Sequence, residues 1–411
     1  MAPTAHLAPR LAPRMGKLRE SPTAAVSDLM RQMVARGESV INLGEGELDF
    51  ETPDHAKAAG IAAIERGDTR YTAVGGTERL RGAIVAKFQR ENGLTFGLEQ
   101  VLAGVGGKQI LFNALLATVG VGDEVIVPAP YWVSYPDMVH LAEGTPVILP
   151  ATEDTGFKLT PDALASALTE RTRWIILNSP NNPTGAVYSA EELAALLAVI
   201  APWPKVMIMA DDIYEHMVFA GTFATPAAVR PDLADRILTV NGVSKAYSMT
   251  GWRIGYAAGP RWLIDAMRVI QSQSTSNPAA MSQEAARVAL TGSLDFLEER
   301  LTILRRRRDH VLTALNVCPG LRCPVPDGAF YVYVNCAGLM GGTTPDGHTL
   351  ETDTDLAAYL AREAKVGVVP GSAFGLGPYL RIAYAVDDAL LDEACTRITA
   401  ACTRIARADA A

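Results

Sequence analysis

RWIILNSP (173–180) is an apolar run that stops in a polar turn, NNPTG (181–185). VMIMADD (206–212) and ILTVNG (237–242) repeat the pattern, and DEVIVP (123–128) is a further run of the same kind. VLAGVGGKQILFNALLATVG (101–120) reads as strand, glycine turn and helix, and AEELAALLAVI (190–200) is helical in its spacing. A strand that is apolar throughout is buried on both faces, and helices between such strands favour a parallel sheet. The sequence therefore predicts an α/β fold whose mostly parallel sheet is covered by helices on both sides.

On the N-terminal side, residues 26–37, 54–66 and 77–91 carry helical patterns, and VINLGEGELDFETP (40–53) runs from a short strand into a Gly- and Pro-marked loop. MAPTAHLAPRLAPR (1–14) lacks an apolar signal core and reads as a loose tail. On the C-terminal side a long helical stretch is expected at about 279–315, followed by strands AFYVYVN (329–335) and YLRIAYAV (379–386) with helices between and after them. GLMGGTTPDGH (338–348) reads as a surface loop. The expected division is a large domain at 56–300 and a smaller α+β domain built from 1–55 and 301–411, since 411 residues exceed what one core usually serves.

Composition excludes several classes. A net charge of −8 argues against nucleic acid, which needs a basic face. The densest basic run, Arg305–Arg308, is expected on a solvated helix face. Five cysteines without a C-x-x-C pair suggest neither a disulfide framework nor a zinc site, and fit a reducing compartment. No apolar run is long enough to span a membrane, so the expected location is the cytoplasm.

In open α/β sheets ligands bind beyond the carboxyl ends of the strands. Those ends carry Gly106, Gly107 and Lys108, then Asn181 and Asn182, then Asp211, Asp212 and Tyr214, then Ser244 and Lys245. Each alone is ordinary: NNPTG is a turn signal, and a lysine after a strand is commonly solvated. Together they place an acid, an amide, a phenol and a lysine on one rim, beside a helix start suited to phosphate. That inventory suits pyridoxal phosphate. A lysine condenses with its aldehyde, a carboxylate keeps its ring nitrogen protonated, and helix N–H groups hold its phosphate.

GVSKAYSMTGWRIG (242–255) fits the cofactor-attachment pattern of class I aminotransferases, and from about residue 19 to 386 the chain resembles the aspartate aminotransferase family. SPNNPTG (179–185), ADDIYEH (210–216) and PYWVSYP (130–136) carry the same resemblance, in the bacterial branch that includes aspartate/prephenate enzymes. The resemblance implies the fold of that family and a ping-pong exchange of amino groups between an amino acid and a 2-oxo acid. It implies Lys245 as the Schiff-base lysine and proton carrier, and Asp211 on the pyridine nitrogen. Asn182 and Tyr214 would hold the 3-hydroxyl, Trp132 would stack on the ring, Gly107 and Lys108 would give backbone amides to the phosphate, and Arg253 would pair with it. Tyr71, in RYTAVGG (70–76), would reach the phosphate of a neighbouring subunit, which requires a homodimer. Arg381 would clamp the substrate α-carboxylate, with backbone from Gly46.

Substrate choice rests on other positions. The classical aspartate enzymes use an arginine in the segment that here reads QSQSTSNP (271–278), without arginine. The bacterial branch uses a basic residue and a threonine near the N-terminus, which Arg19 and Thr23 of RESPT (19–23) supply, together with Lys108. This implies acidic donors, aspartate or glutamate. Two departures stand out: GELDF (46–50) has Leu48 where the family usually has proline, and ADDIY (210–214) replaces SDEIY, so that Asp212 stands for glutamate. Alternatives at this stage are a related enzyme that eliminates, replaces, cyclises or oxidises, and a non-catalytic binding protein of the same fold.

Overall fold

The computed structural model describes residues 11–18 and 20–406. Its large sheet has seven strands: β1 (Val101–Gly104), β2 (Glu124–Ala129), β3 (Thr145–Pro150), β4 (Thr172–Asn178), β5 (Met207–Asp211), β6 (Ile237–Gly242) and β7 (Gly255–Ala258). Their spatial order is β1-β7-β6-β5-β4-β2-β3. Only β7 runs against its neighbours, β1 and β6; the other pairings are parallel. Alternate residues feed two separate cores. Trp174, Ile176, Met207, Met209 and Val240 pack on one face, and Ile175, Leu177, Ile208 and Ile237 on the other. Burial on both faces is why these strands lack the polar alternation of a half-exposed sheet.

A second, three-stranded antiparallel sheet is formed by β8 (Tyr331–Asn335), β9 (Val369–Pro370) and β10 (Tyr379–Ala383), with β10 in the centre. Ile41–Asn42 pairs in parallel with Val366–Gly367, which ties the N-terminal segment to this part of the chain. A third core joins Ile41, Leu43 and Leu48 to residues between Leu304 and Ile405.

Several expectations change. The stretch expected as one helix at 279–315 is two, Ala280–Thr291 and Asp295–Asn316. Gly292 leaves the helix in an extended conformation, and Ser293 Oγ accepts from the N–H of Asp295 to start the next one. Strands β3 and β7 and the helix Arg261–Ser272 are additional elements. The N-terminal helix begins at Pro22, earlier than expected, with proline at its first position, where its missing N–H costs nothing. Of the expected tail, residues 1–10 lie outside the described residues, and Pro13–Lys17 form a 3-10 turn. The 338–348 loop is not wholly superficial: Leu339 and Thr344 are buried, and Thr343 pairs with Thr349 and Ala406.

The basic run is also not a uniformly solvated face. Arg307 is buried and its two Nη atoms meet Asp49 Oδ1 and Oδ2 at 2.8 and 2.9 Å, while its Nε meets Asp388 at 2.7 Å. This fork fastens the loop that follows Gly46 to the helix Asp295–Asn316. All five cysteines are free and buried. Among the described residues, no helix is long and apolar enough to cross a membrane.

Candidate active site

Six of the seven large-sheet strands point the same way, so the loops after their carboxyl ends share a rim. One cavity there is lined by Gly107 and Lys108 after β1, Trp132 and Tyr135 after β2, and Asn178 and Asn182 at and after β4. Asp211 at the end of β5 and Tyr214 after it, Ser244 and Lys245 after β6, and Arg253 complete that side. Thr23, Gly46, Tyr331 and Arg381 close it from the N-terminal segment and the small sheet. Eleven residues singled out from sequence thus meet in one cavity: Thr23, Gly46, Gly107, Lys108, Trp132, Asn182, Asp211, Tyr214, Lys245, Arg253 and Arg381. Two do not. Tyr71 is 91% exposed and sits in a separate surface hollow with Thr275 and Ser276. Arg19 lies outside the described residues.

Asp211 ends β5 in full burial. Tyr135 Oη donates to its Oδ2 at 2.6 Å. Burial pushes the carboxyl up to about 6, opposed by the bond from Tyr135, a backbone N–H at Ile213 and the charge of Lys245. It is therefore still mostly ionised at neutral pH, a buried anion facing the cavity. Asn178 braces the same corner: its Nδ2 donates to Asp211 O and its Oδ1 accepts from Asn182 N–H, both at 2.8 Å. Lys245 donates to Gly46 O. Burial draws its ammonium down to about 8, against the charges of Glu47 and Asp211 and with those of Arg381 and Arg253. A larger fraction of neutral amine is thus present near neutrality than an ordinary lysine would hold.

The helix Gly107–Thr118 starts at this rim; Gln109 N–H donates to Gly106 O at 3.2 Å, and the two N–H groups before it belong to the part of a helix that lacks intrahelical acceptors. Gly106 caps it at φ 84°, and a Cβ there would stand 2.5 Å from Arg253 Nη2. Arg253 itself sits at φ 56°, a left-handed backbone that costs a non-glycine residue about 1–3 kcal/mol and recurs at functional sites. Its Nη1 donates to Thr250 O at 2.8 Å, which aims the guanidinium at the helix start. A helix start flanked by a guanidinium is an arrangement suited to an anion.

Arg381 is 1% exposed. Its Nη1 donates to Asn182 Oδ1 at 3.0 Å and its Nη2 to Gly44 O, while Nε has no partner. The rings of Tyr331 and Phe374 lie 4.7 and 5.0 Å from it. Among the described residues none of these partners is a carboxylate. A buried cation without a counter-ion is costly unless an anion arrives to pair with it.

Lys108 Nζ lies 4.9 Å over the Trp132 ring, and desolvation followed by the charge of Arg253 lowers its pKa. The two departures do not face the cavity. Leu48 is buried in the core beneath the small sheet. Asp212 points away, toward Glu215 and Thr225, and burial raises it well above the usual carboxylate range. Tyr135, Asn178 and Tyr331 were not singled out from sequence. Tyr135 and Asn178 do lie within motifs quoted for other residues.

Residues 38–398 match the family model for aminotransferase class I and II. An aspartate aminotransferase of Rhizobium meliloti (strain 1021) is 55% identical over 374 residues, 91% of each chain. An aspartate/prephenate aminotransferase of Cereibacter sphaeroides is 55% identical over 393 residues, 95% of this chain and 98% of that one. A crystal structure of the Rhizobium meliloti aspartate aminotransferase has a TM-score of 0.94 at 52% identity, covering 97% of this chain and 100% of that one. A Thermus thermophilus aspartate aminotransferase solved with maleate has a TM-score of 0.90 at 39% identity, covering 96% and 100%. Sequence, fold and cavity agree: the chain belongs to the class I and II aminotransferases, in the branch of the aspartate and aspartate/prephenate enzymes, and is a pyridoxal-phosphate-dependent transaminase.

Proposed function

We propose that this transaminase takes its amino group from an acidic amino acid, aspartate or glutamate, and passes it to a 2-oxo acid in a ping-pong exchange. The observation that carries the reading is the meeting of Lys245, Asp211 and the unpaired Arg381 in one cavity, beside a helix start flanked by Arg253. When bound there, pyridoxal phosphate supplies an aldehyde for the amines and a ring that withdraws electrons from the substrate carbon.

The residues fit this group. Lys245, with its lowered pKa, offers a neutral amine that would hold the cofactor through its aldehyde and would hold or move a proton at the substrate carbon. Asp211 remains anionic and pairs with a protonated ring nitrogen, held in place by Tyr135. Asn182 and Tyr214 hold the ring hydroxyl, and Trp132 covers the ring face. The backbone amides of Gly107 and Lys108 and the Arg253 fork would take the phosphate. Arg381 binds the α-carboxylate in a bidentate fork, with Gly46 backbone beside it. Its fork would fix the orientation of the bound substrate carboxylate.

Thr23 and Lys108 line the cavity, and Arg19 belongs to the same N-terminal segment as Thr23. We assign these three to the distal carboxylate. The maleate in the Thermus thermophilus relative is a dicarboxylate, which supports an acidic substrate here. Tyr71, with its side chain turned outward, is assigned to the phosphate of a second copy in a homodimer with shared sites. The two-domain division at 56–300 against 1–55 with 301–411 is supported by the separate cores of the two sheets.

The specificity assignment has a direct test. Lys108→Ala should raise KM for aspartate and glutamate by roughly ten- to a hundred-fold more than for alanine or an aromatic donor, because one charge-assisted contact is lost. Steady-state kinetics across four donors measure this. Equal losses on acidic and neutral donors would break the link between Lys108 and the distal carboxylate.

A further inference from the structure

Tyr331 opens β8 and pairs with Ala383 of β10, two residues beyond Arg381. Side chains alternate along a strand, so Tyr331 and Arg381 share the face of the small sheet that looks into the cavity. Tyr331 is fully buried and joins two groups of the site. Its hydroxyl lies 2.9 Å from that of Tyr214, the phenol assigned above to the cofactor hydroxyl. Its ring lies 4.7 Å from the Arg381 guanidinium, with Phe374 also stacked on that cation. Gly46 leaves room for this: a Cβ there would stand 2.7 Å from the Tyr331 hydroxyl.

Either hydroxyl of this pair can donate. Where Tyr214 gives its proton to the cofactor hydroxyl, as assigned above, its oxygen is left to accept, and Tyr331 is the donor at 2.9 Å. The same ring restrains the plane of a guanidinium whose hydrogen-bond partners among the described residues are two neutral oxygens.

We propose that Tyr331 is a positioning residue for both ends of the site: its hydroxyl directs the Tyr214 proton toward the cofactor, and its ring holds Arg381 in the plane that receives the substrate carboxylate. This rests on the cofactor reading above.

Two variants separate the two roles. Tyr331→Phe keeps the ring and removes the donor. The pH at which the bound cofactor's absorbance band titrates in the holoenzyme should rise by about half a unit to one unit, or three- to tenfold in proton affinity, as expected when a hydrogen bond supporting a charged group is lost. KM for the amino donor should stay within about twofold, since the cation still has its ring. Tyr331→Leu removes the ring, and KM should rise about tenfold or more for every donor, acidic or neutral, since all share the α-carboxylate. A Tyr331→Phe holoenzyme that titrates like the parent, or a Tyr331→Leu enzyme with parental KM, would overturn the proposal. If the parent enzyme shows no titrating cofactor band at all, the cofactor reading itself fails, which is a different result.

Discussion

Lys245→Ala should lose at least about four orders of magnitude in turnover, since one amine serves as both attacking group and proton carrier, and acid–base catalysis alone contributes up to about 10⁴-fold. The residue stands after β6 at the edge of the cavity, and its ammonium is drawn down to about 8. Alanine leaves Gly46 O without its donor, but that oxygen borders the cavity and water can reach it. The fold should therefore survive, and circular dichroism should match the parent. Added pyridoxal phosphate should no longer be fixed by borohydride. A variant that retains a reducible adduct and the parental rate would remove Lys245 from the chemistry. The same variant also tests the shared site: mixed with an inactive Tyr71→Ala chain, it should regain part of the activity through hybrid dimers that carry one intact site.

The second large loss is expected at Asp211. Asp211→Asn keeps the size and one acceptor for Tyr135 while removing the charge. Without a buried anion the cofactor ring gives up its proton, and the electron withdrawal that drives the reaction weakens. Removing one preorganised electrostatic partner of a transition state typically costs about 10²–10³-fold in kcat. Asp211→Ala should lose as much and also destabilise the fold by about 1–3 kcal/mol, because Tyr135 Oη is left buried without its acceptor. Parallel kinetics and thermal melts separate the two effects. Near-parental kcat in Asp211→Asn would show that a different acid holds the ring. Since burial sets Asp211 near 6, activity should also fall as pH drops below that value.

The rim of the large sheet was legible in the sequence because each strand ends where its apolar run ends, and Asp211, Asn182 and Lys245 follow directly. What was not legible depends on partners far away in the chain. Tyr331 lies 117 residues from Tyr214, and a tyrosine in a strand reads as ordinary packing. Tyr135 lies 76 residues from Asp211, so its hydroxyl shows no role in the local pattern. Arg307 was taken for a solvated charge because helical periodicity does not reveal Asp49, 258 residues away. Strand β3 is an edge strand with Pro146 within it and Pro150 at its end, and its residues are only partly buried or exposed, so it lacks the continuous apolar run of its neighbours. Leu48 stood out because the family usually has proline there, but a departure in sequence does not give side-chain direction, and Leu48 points into the core.

The most direct test of the account is a single turnover. Holoenzyme mixed with aspartate, with no oxo-acid acceptor present, should yield one equivalent of oxaloacetate per cofactor, convert the cofactor to pyridoxamine phosphate in the same amount, and then stop until an acceptor is added. Ammonia released in many equivalents with the cofactor still in its aldehyde form would instead mark an elimination or oxidation, and would contradict the assignment of Lys245, Asp211 and Arg381 to amino-group transfer.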